Sequence, residues 1–135
     1  MSDIFLDSNV ILYLLSSNEH KADIAEKLLN QKPNISVQVL NEITSVCHRK
    51  IKMPWDEIHE LLAAVKANCT IVPLTVDTHA QAVQIAQHHR LSFYDSHIVA
   101  AAVMSGARTL MSEDMQNGMV MHGLRIQNPF TLPEC

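Results

Sequence analysis

Glycine is scarce in this chain and proline is little commoner, with three and five among 135 residues. A collagen-like or low-complexity chain is excluded by that alone. Cysteine is also rare. Cys47, Cys69 and Cys135 are odd in number, far apart, and form no C-x-x-C pair. They exclude a disulfide framework or a cysteine-rich zinc site, and point to a reducing cytoplasm. No apolar run approaches the roughly 20 residues of a membrane span. The apolar stretch at 10–15 is preceded by acids rather than a basic segment, so it does not read as a signal peptide. Basic residues are outnumbered, ten Lys+Arg against fourteen Asp+Glu, for a formal charge of -4. A protein that holds nucleic acid by plain electrostatics would be basic. An acidic one can still handle it if metal ions supply the positive charge.

What remains is a globular composition. The chain is 47% hydrophobic and 18% charged, which excludes a disordered tail. Its length suits one domain over 1–135, able to bury roughly two-thirds of its unfolded surface. Short apolar runs at 4–6, 35–37, 70–74, 108–111 and 124–126 read as strands. Helical patterns fall at 10–15, 21–29, 40–49, 54–67, 77–88 and 94–104. Pro54 suits a first helical position, Asp77-Thr78 reads as a cap, and Gly106 as a helix stop. Short apolar strands separated by helices predict an α/β fold: a central parallel sheet of four to five strands covered on both faces, in three layers α/β/α.

Four acids need explaining. Asp7 directly follows the first strand, where the ligand crevice of an open α/β sheet lies; the alternative is that Asp7 or Ser8 is a helix N-cap. Glu42 shares a helix face with Val39, Ile43 and Val46. A carboxylate there is costly unless compensated or placed at the edge of the face. Asp95 stands over the stripe of Ile98, Val99 and Ala102, and equally complements the helix dipole. Asp114 follows the fourth strand, with Glu113 as its rival and an ordinary turn acid as the alternative. Taken together, these positions converge on one crevice. Four acids there would not all stay ionised without a cation. A hard divalent ion held by a few carboxylates suits such a site, and phosphodiester hydrolysis is the chemistry that uses it.

At these residues the sequence resembles the PIN-domain family, specifically its VapC-like toxin branch. The matching segments are FLDSNVIL (5–12), SVQVLNEI (36–43), LSFYDSHIVAAA (91–102) and LMSEDMQNG (110–118). The resemblance implies a ribonuclease dependent on Mg²⁺ or Mn²⁺, with Asp7, Glu42, Asp95 and Asp114 as catalytic and metal-binding acids. Asn9 would orient Asp7 or a bound water, and Ser112 would support the acids from behind. Asp114 rather than Glu113 is preferred on the resemblance alone. It further implies RNA as substrate, a cognate antitoxin in the groove near the site, a homodimer, and a cytoplasmic protein with no membrane association. The alternatives are a PIN nuclease of housekeeping RNA processing, or a catalytically silent module using the fold for binding.

Other features are read more plainly. The basic run 48–52 suits a solvated helix end, with contact to RNA phosphates as the alternative. The histidines lack zinc-site spacing, and His97 is expected to face away from Asp95. Phe93 and Tyr94 are expected to pack rather than stack on bases. Met104, Met111, Met115, Met119 and Met121 are expected in the core. The apolar stretches 10–15 and 21–29 are candidate contact surfaces.

Overall fold

A computed structural model describes residues 3–131. The chain alternates strands and helices as the apolar runs require: β1 (Ile4–Leu6), α1 (Ser8–Leu12), a 3₁₀ turn (Tyr13–Leu15), α2 (Glu19–Leu29), β2 (Asn34–Ser36), α3 (Val37–Arg49), α4 (Trp55–Asn68), β3 (Thr70–Val72), α5 (Val76–His88), α6 (Phe93–Met104), β4 (Thr109–Met111), β5 (Val120–Met121) and β6 (Leu124–Gln127). The strands form one six-stranded sheet in the order β3-β2-β1-β4-β6-β5, flanked by helices. All pairings are parallel except that of β5 with β6. Phe5 lies beside Leu110 and Leu6 beside Met111 in the β1–β4 register.

The centre of the sheet is apolar on both faces. Phe5, Leu6, Ile35, Leu110 and Ile126 are fully buried, and burying each such side chain contributes about 1.5–3 kcal/mol. Consecutive buried residues, not alternating ones, are what helices on both faces demand. Val39, Ile43 and Cys47 of α3, and Ile98 to Ala102 of α6, close over them. Met111, Met115 and Met121 are buried and Met119 packs against the same cluster, whereas Met104 is exposed.

Several local readings shift. The sixth strand, β5, escapes notice because it has only two residues. It is paired to β6 by a two-residue hairpin, His122-Gly123, with both φ angles positive at 52° and 80°. That is the twist-matched hairpin turn, for which glycine is suited. Helix α3 starts at Val37, three residues earlier than its apolar pattern suggests, because Ser36 at the end of β2 caps it through the Val39 N–H. The stretch 10–15 is one short helix followed by the 3₁₀ turn. Asp77-Thr78 is not the cap of α5. Thr75 is: its hydroxyl accepts from the Thr78 N–H, while the Thr78 hydroxyl accepts from the Thr75 N–H. Gly106, at φ 80°, ends α6 as expected.

The strand order reverses between β1 and β4. To one side run β2 and β3, and to the other β4, β6 and β5. Ligand crevices in open α/β sheets form at such a reversal, beyond the carboxyl ends of the strands. Asp7 and Ser112 are the first residues after β1 and β4. The Asp7 N–H donates to the Met111 carbonyl at 3.0 Å, which locks the two strand ends together.

Helix α5 packs closely on α6, which carries Asp95. Thr75→Ala removes one side of the reciprocal cap and should destabilise the protein by about 1 kcal/mol. Urea unfolding checks this: the midpoint should fall with the slope unchanged.

Candidate active site

Asp7 is the deepest of the four acids, only 2% exposed. Its Oδ1 accepts the Ser8 N–H at 2.7 Å, so it does cap α1. Its Oδ2 turns to the neighbouring strand end, accepting from the Ser112 hydroxyl at 2.8 Å and the Asn9 amide at 3.2 Å. The cap and the crevice are therefore one arrangement, not rival readings. Three bonds do not offset the loss of water. Burial is the largest influence on Asp7 and raises its pKa from 3.8 to about 7. The Ser112 bond pulls the other way, and the charges of Glu42 and Asp95 raise it further.

Glu42 projects from the half-buried edge of α3. The Ser8 hydroxyl donates to its Oε1 at 2.6 Å and the Gln38 amide to its Oε2 at 3.2 Å. A hydroxyl has one proton to donate. The short contact to Glu42 claims it, and the 3.5 Å approach to Asp7 Oδ1 is the weaker one. Ser8 thus stands between the first two acids. Sequence reasoning missed both Ser8 and Gln38 as site residues. The signals were available: Ser8 adjoins Asp7, and Gln38 sits one helical turn before Glu42.

Asp95 lies in the first turn of α6, whose cap Ser92 accepts the Asp95 N–H at 3.1 Å. Its pKa is raised, first by partial burial and then by the charge of Glu42, with Asp114 adding a smaller push. Asp114 is exposed at the mouth. The Asn9 amide donates to its Oδ2 at 3.1 Å, while Asn9 Oδ1 accepts the Glu113 N–H at 3.1 Å. Asn9 therefore stitches the loop after β4 onto Asp7. Glu113 points elsewhere. It pairs with Lys21 at 2.8 Å and accepts from the Tyr13 hydroxyl at 2.5 Å, and these bonds lower its pKa. Of the two neighbours, Asp114 is the one joined to the cluster.

The structure thus brings Asp7, Glu42, Asp95 and Asp114 to one crevice with Asn9 and Ser112 beneath. Their oxygens are hard donors suited to Mg²⁺ or Mn²⁺. Among the described residues, no three acidic, histidine or cysteine side chains stand close enough to form a ready cage. A cage is not required for Mg²⁺, which binds through one or two carboxylates and keeps several waters. The buried, proton-seeking carboxylate of Asp7, with two more negative charges acting on it, is the feature that a cation would relieve.

His97 lies two residues from Asp95 and is buried instead against Phe93, with ring centroids 4.7 Å apart. Tyr94 departs from expectation: it is 63% exposed and does not pack in the core. The residues of the basic run are exposed, and His48 stacks on Trp55. Cys47 and Cys69 are free thiols, and Cys135 lies outside the described residues. No helix among the described residues is long and apolar enough to cross a membrane.

A reversed-order parallel α/β sheet with acids at its switch point defines a class of protein. The PIN domain family profile matches residues 4–116, and the chain belongs to that family. Solved structures share the fold. VapC20 of Mycobacterium tuberculosis, described as a sarcin–ricin loop cleaving toxin, is 21% identical with a TM-score of 0.63, over 82% of this chain and 89% of that one. A toxin–antitoxin complex from Klebsiella pneumoniae gives 0.72 at 17% identity, over 93% and 97%. DNA-bound VapBC from Salmonella typhimurium gives 0.68 at 17% identity, over 96% and 99%. No curated protein matches the chain in sequence.

The raised pKa of Asp7 makes a signed prediction. The folded protein holds the Asp7 proton up to about pH 7, while the unfolded chain releases it near 3.8. Stability is therefore lost as pH rises between those values. In metal-free buffer the stability difference between wild type and Asp7→Asn should move against wild type by roughly 4 kcal/mol across that window. Urea titrations at the two ends of the window measure it, and a pH-independent difference would remove burial as the cause.

Proposed function

We propose that the protein is a metal-dependent endoribonuclease, the toxin of a toxin–antitoxin pair. The carrying observation is the meeting of Asp7, Glu42, Asp95 and Asp114 at the β1–β4 switch point, with Asp7 buried and protonation-prone. The fold neighbours support the reading, since one is described as a sarcin–ricin loop cleaving toxin and another as a toxin–antitoxin complex.

The residues divide the work. Asp7 and Asp95 would hold Mg²⁺ or Mn²⁺, with Glu42 and Asp114 completing the oxygen set directly or through water. A bound cation would supply charge to steady the phosphoryl oxygens and ease the deprotonation of water. Ser112 and Asn9 fix Asp7 in its one orientation, so no side-chain search is needed when RNA arrives. Ser8 and Gln38 hold the two oxygens of Glu42, which would bind the ion or orient the attacking water. The acids repel a phosphate backbone unless a cation is present, which makes the ion a condition for substrate binding as well as for hydrolysis.

The same reading brings a cytoplasmic homodimer and a cognate antitoxin. A mainly apolar groove of about 350 Å³ beside the acids, lined by Leu12, Tyr13, Leu15 and Ile51, is suited to an antitoxin helix.

Purified protein incubated with total RNA should cleave it in Mg²⁺ and stop on addition of EDTA. Asp7→Asn and Asp95→Asn should each lower the rate by about 10²-fold or more, with circular dichroism unchanged. Glu113→Gln, whose carboxylate is turned to Lys21, should stay close to wild type. Full Mg²⁺-dependent cleavage by Asp7→Asn would overturn the reading.

A further inference from the structure

The face of α3 that carries Glu42 runs on beyond the acid cluster. Gln38, Glu42, Ser45 and Arg49 recur every three or four residues, bordering the buried stripe of Val39, Ile43 and Cys47. With Asn41 and Tyr94 of α6 they line a cavity of about 450 Å³. A second cavity of about 270 Å³ continues from it, lined by Ser45, Val46, Arg49 and Lys50. The two share Ser45 and Arg49, so they form one groove leading away from Glu42. At 1.5 Å rise per residue, Arg49 lies about 10 Å along the helix from Glu42.

The groove changes sign along its length. Its near end is the carboxylate of the crevice. Its far end carries Arg49 and Lys50, and among the described residues neither forms an ion pair. An unpaired guanidinium and ammonium side by side are poor metal ligands and good phosphate partners. Between the two ends stands Tyr94, an aromatic ring 63% exposed on a helix whose next turns are fully buried. Among the described residues, Phe93 is the one aromatic ring beside it, tilted at a centroid distance of 6.0 Å, and most of the Tyr94 side chain faces solvent.

We propose that this groove holds an unpaired nucleotide of RNA next to the scissile phosphate, its base stacked on Tyr94 and its flanking phosphate on Arg49. The inference rests on the ribonuclease reading for its placement beside the scissile bond. The groove selects single-stranded or looped RNA, because a base must leave its own stack to lie on the ring. An aromatic platform reads no sequence by itself, so Tyr94 contributes affinity and strandedness. Discrimination among bases falls to the Asn41 amide at the groove wall, since Gln38 is held between Glu42 and Asn41.

Binding of a fluorescein-labelled, randomised single-stranded 12-nucleotide RNA tests this by anisotropy on the full chain. Ca²⁺ replaces Mg²⁺ to fill the acids while slowing cleavage. Tyr94→Ala should weaken binding roughly ten-fold, and Tyr94→Phe should bind like wild type because the ring remains. Arg49→Ala should weaken binding and lower the salt slope by about 0.7. A duplex of the same length should bind more weakly than the single strand and ignore Tyr94→Ala. Both positions are exposed, so the variants should fold, and their thermal transitions are compared with wild type. Wild-type affinity in both alanine variants overturns the proposal, as does equal loss in Tyr94→Phe and Tyr94→Ala. Loss of binding to a protein partner with RNA binding intact would reassign the groove to a peptide and also overturn it. The two proposals separate cleanly. Cleavage that persists with unchanged KM in Tyr94→Ala sinks the groove and leaves the nuclease. Tyr94-dependent binding by a chain that never cleaves RNA sinks the nuclease and leaves the groove.

Discussion

The crevice depends on keeping one carboxylate out of water. Asp7 sits at the end of the central strand, where surrounding side chains would ordinarily exclude a charge. It is tolerated because three donors from two chain segments are aimed at it: the Ser8 N–H, the Ser112 hydroxyl and the Asn9 amide. Those donors determine the local structure in turn. The Ser8 contact starts α1, and the Ser112 and Asn9 contacts pin the loop after β4. The loop then carries Asp114 to the mouth while Glu113 swings back to Lys21 and Tyr13. A single solvation problem organises two strand ends, one helix start and one loop.

The charge pattern around this point has a direction. Glu42 influences both Asp7 and Asp95, and Asp114 influences Asp95, so the acids form a linked set rather than four independent groups. Mutual repulsion of this kind is a stored cost in the folded protein, released by a cation or by protons. Lys21 is paired with Glu113, and the unpaired basic residues of α3 stand at its far end, at Arg49 and Lys50. On the proposed reading, a polyanion would meet fixed positive charge at a distance and a bound cation at the centre, and an acidic protein could then handle nucleic acid.

Much of this was legible in the residues. Ile4-Phe5-Leu6 ending at Asp7, and the apolar run ending at Met111 before Ser112, announce buried strands with polar residues at their carboxyl ends. The parallel sheet and the convergence of the acids follow from those endings. What stayed hidden had definite causes. Ser8 and Gln38 support Glu42, and Ser8 does so across 34 positions of chain, a relation no local pattern records. The cap of α5 was misplaced because Thr75 and Asp77-Thr78 are all good capping residues and only the backbone angles choose between them. β5 is too short to have a period. Tyr94 stands four and seven residues before the buried Ile98 and Ala101, so helical spacing puts it inside. It is outside because Ser92, Phe93 and Tyr94 form the uncovered first turn of α6, where periodicity has no core to report on.

The tie between Asn9 and Asp114 spans 105 positions of sequence, and that between Asp7 and Ser112 spans as many. Such distant pairings form late when a chain folds, since the intervening loop must close first. A nascent chain emerging from the ribosome therefore carries Asp7 long before the loop that holds it in place has been synthesised. The crevice is completed only after Ser112 has been added, 105 residues beyond Asp7.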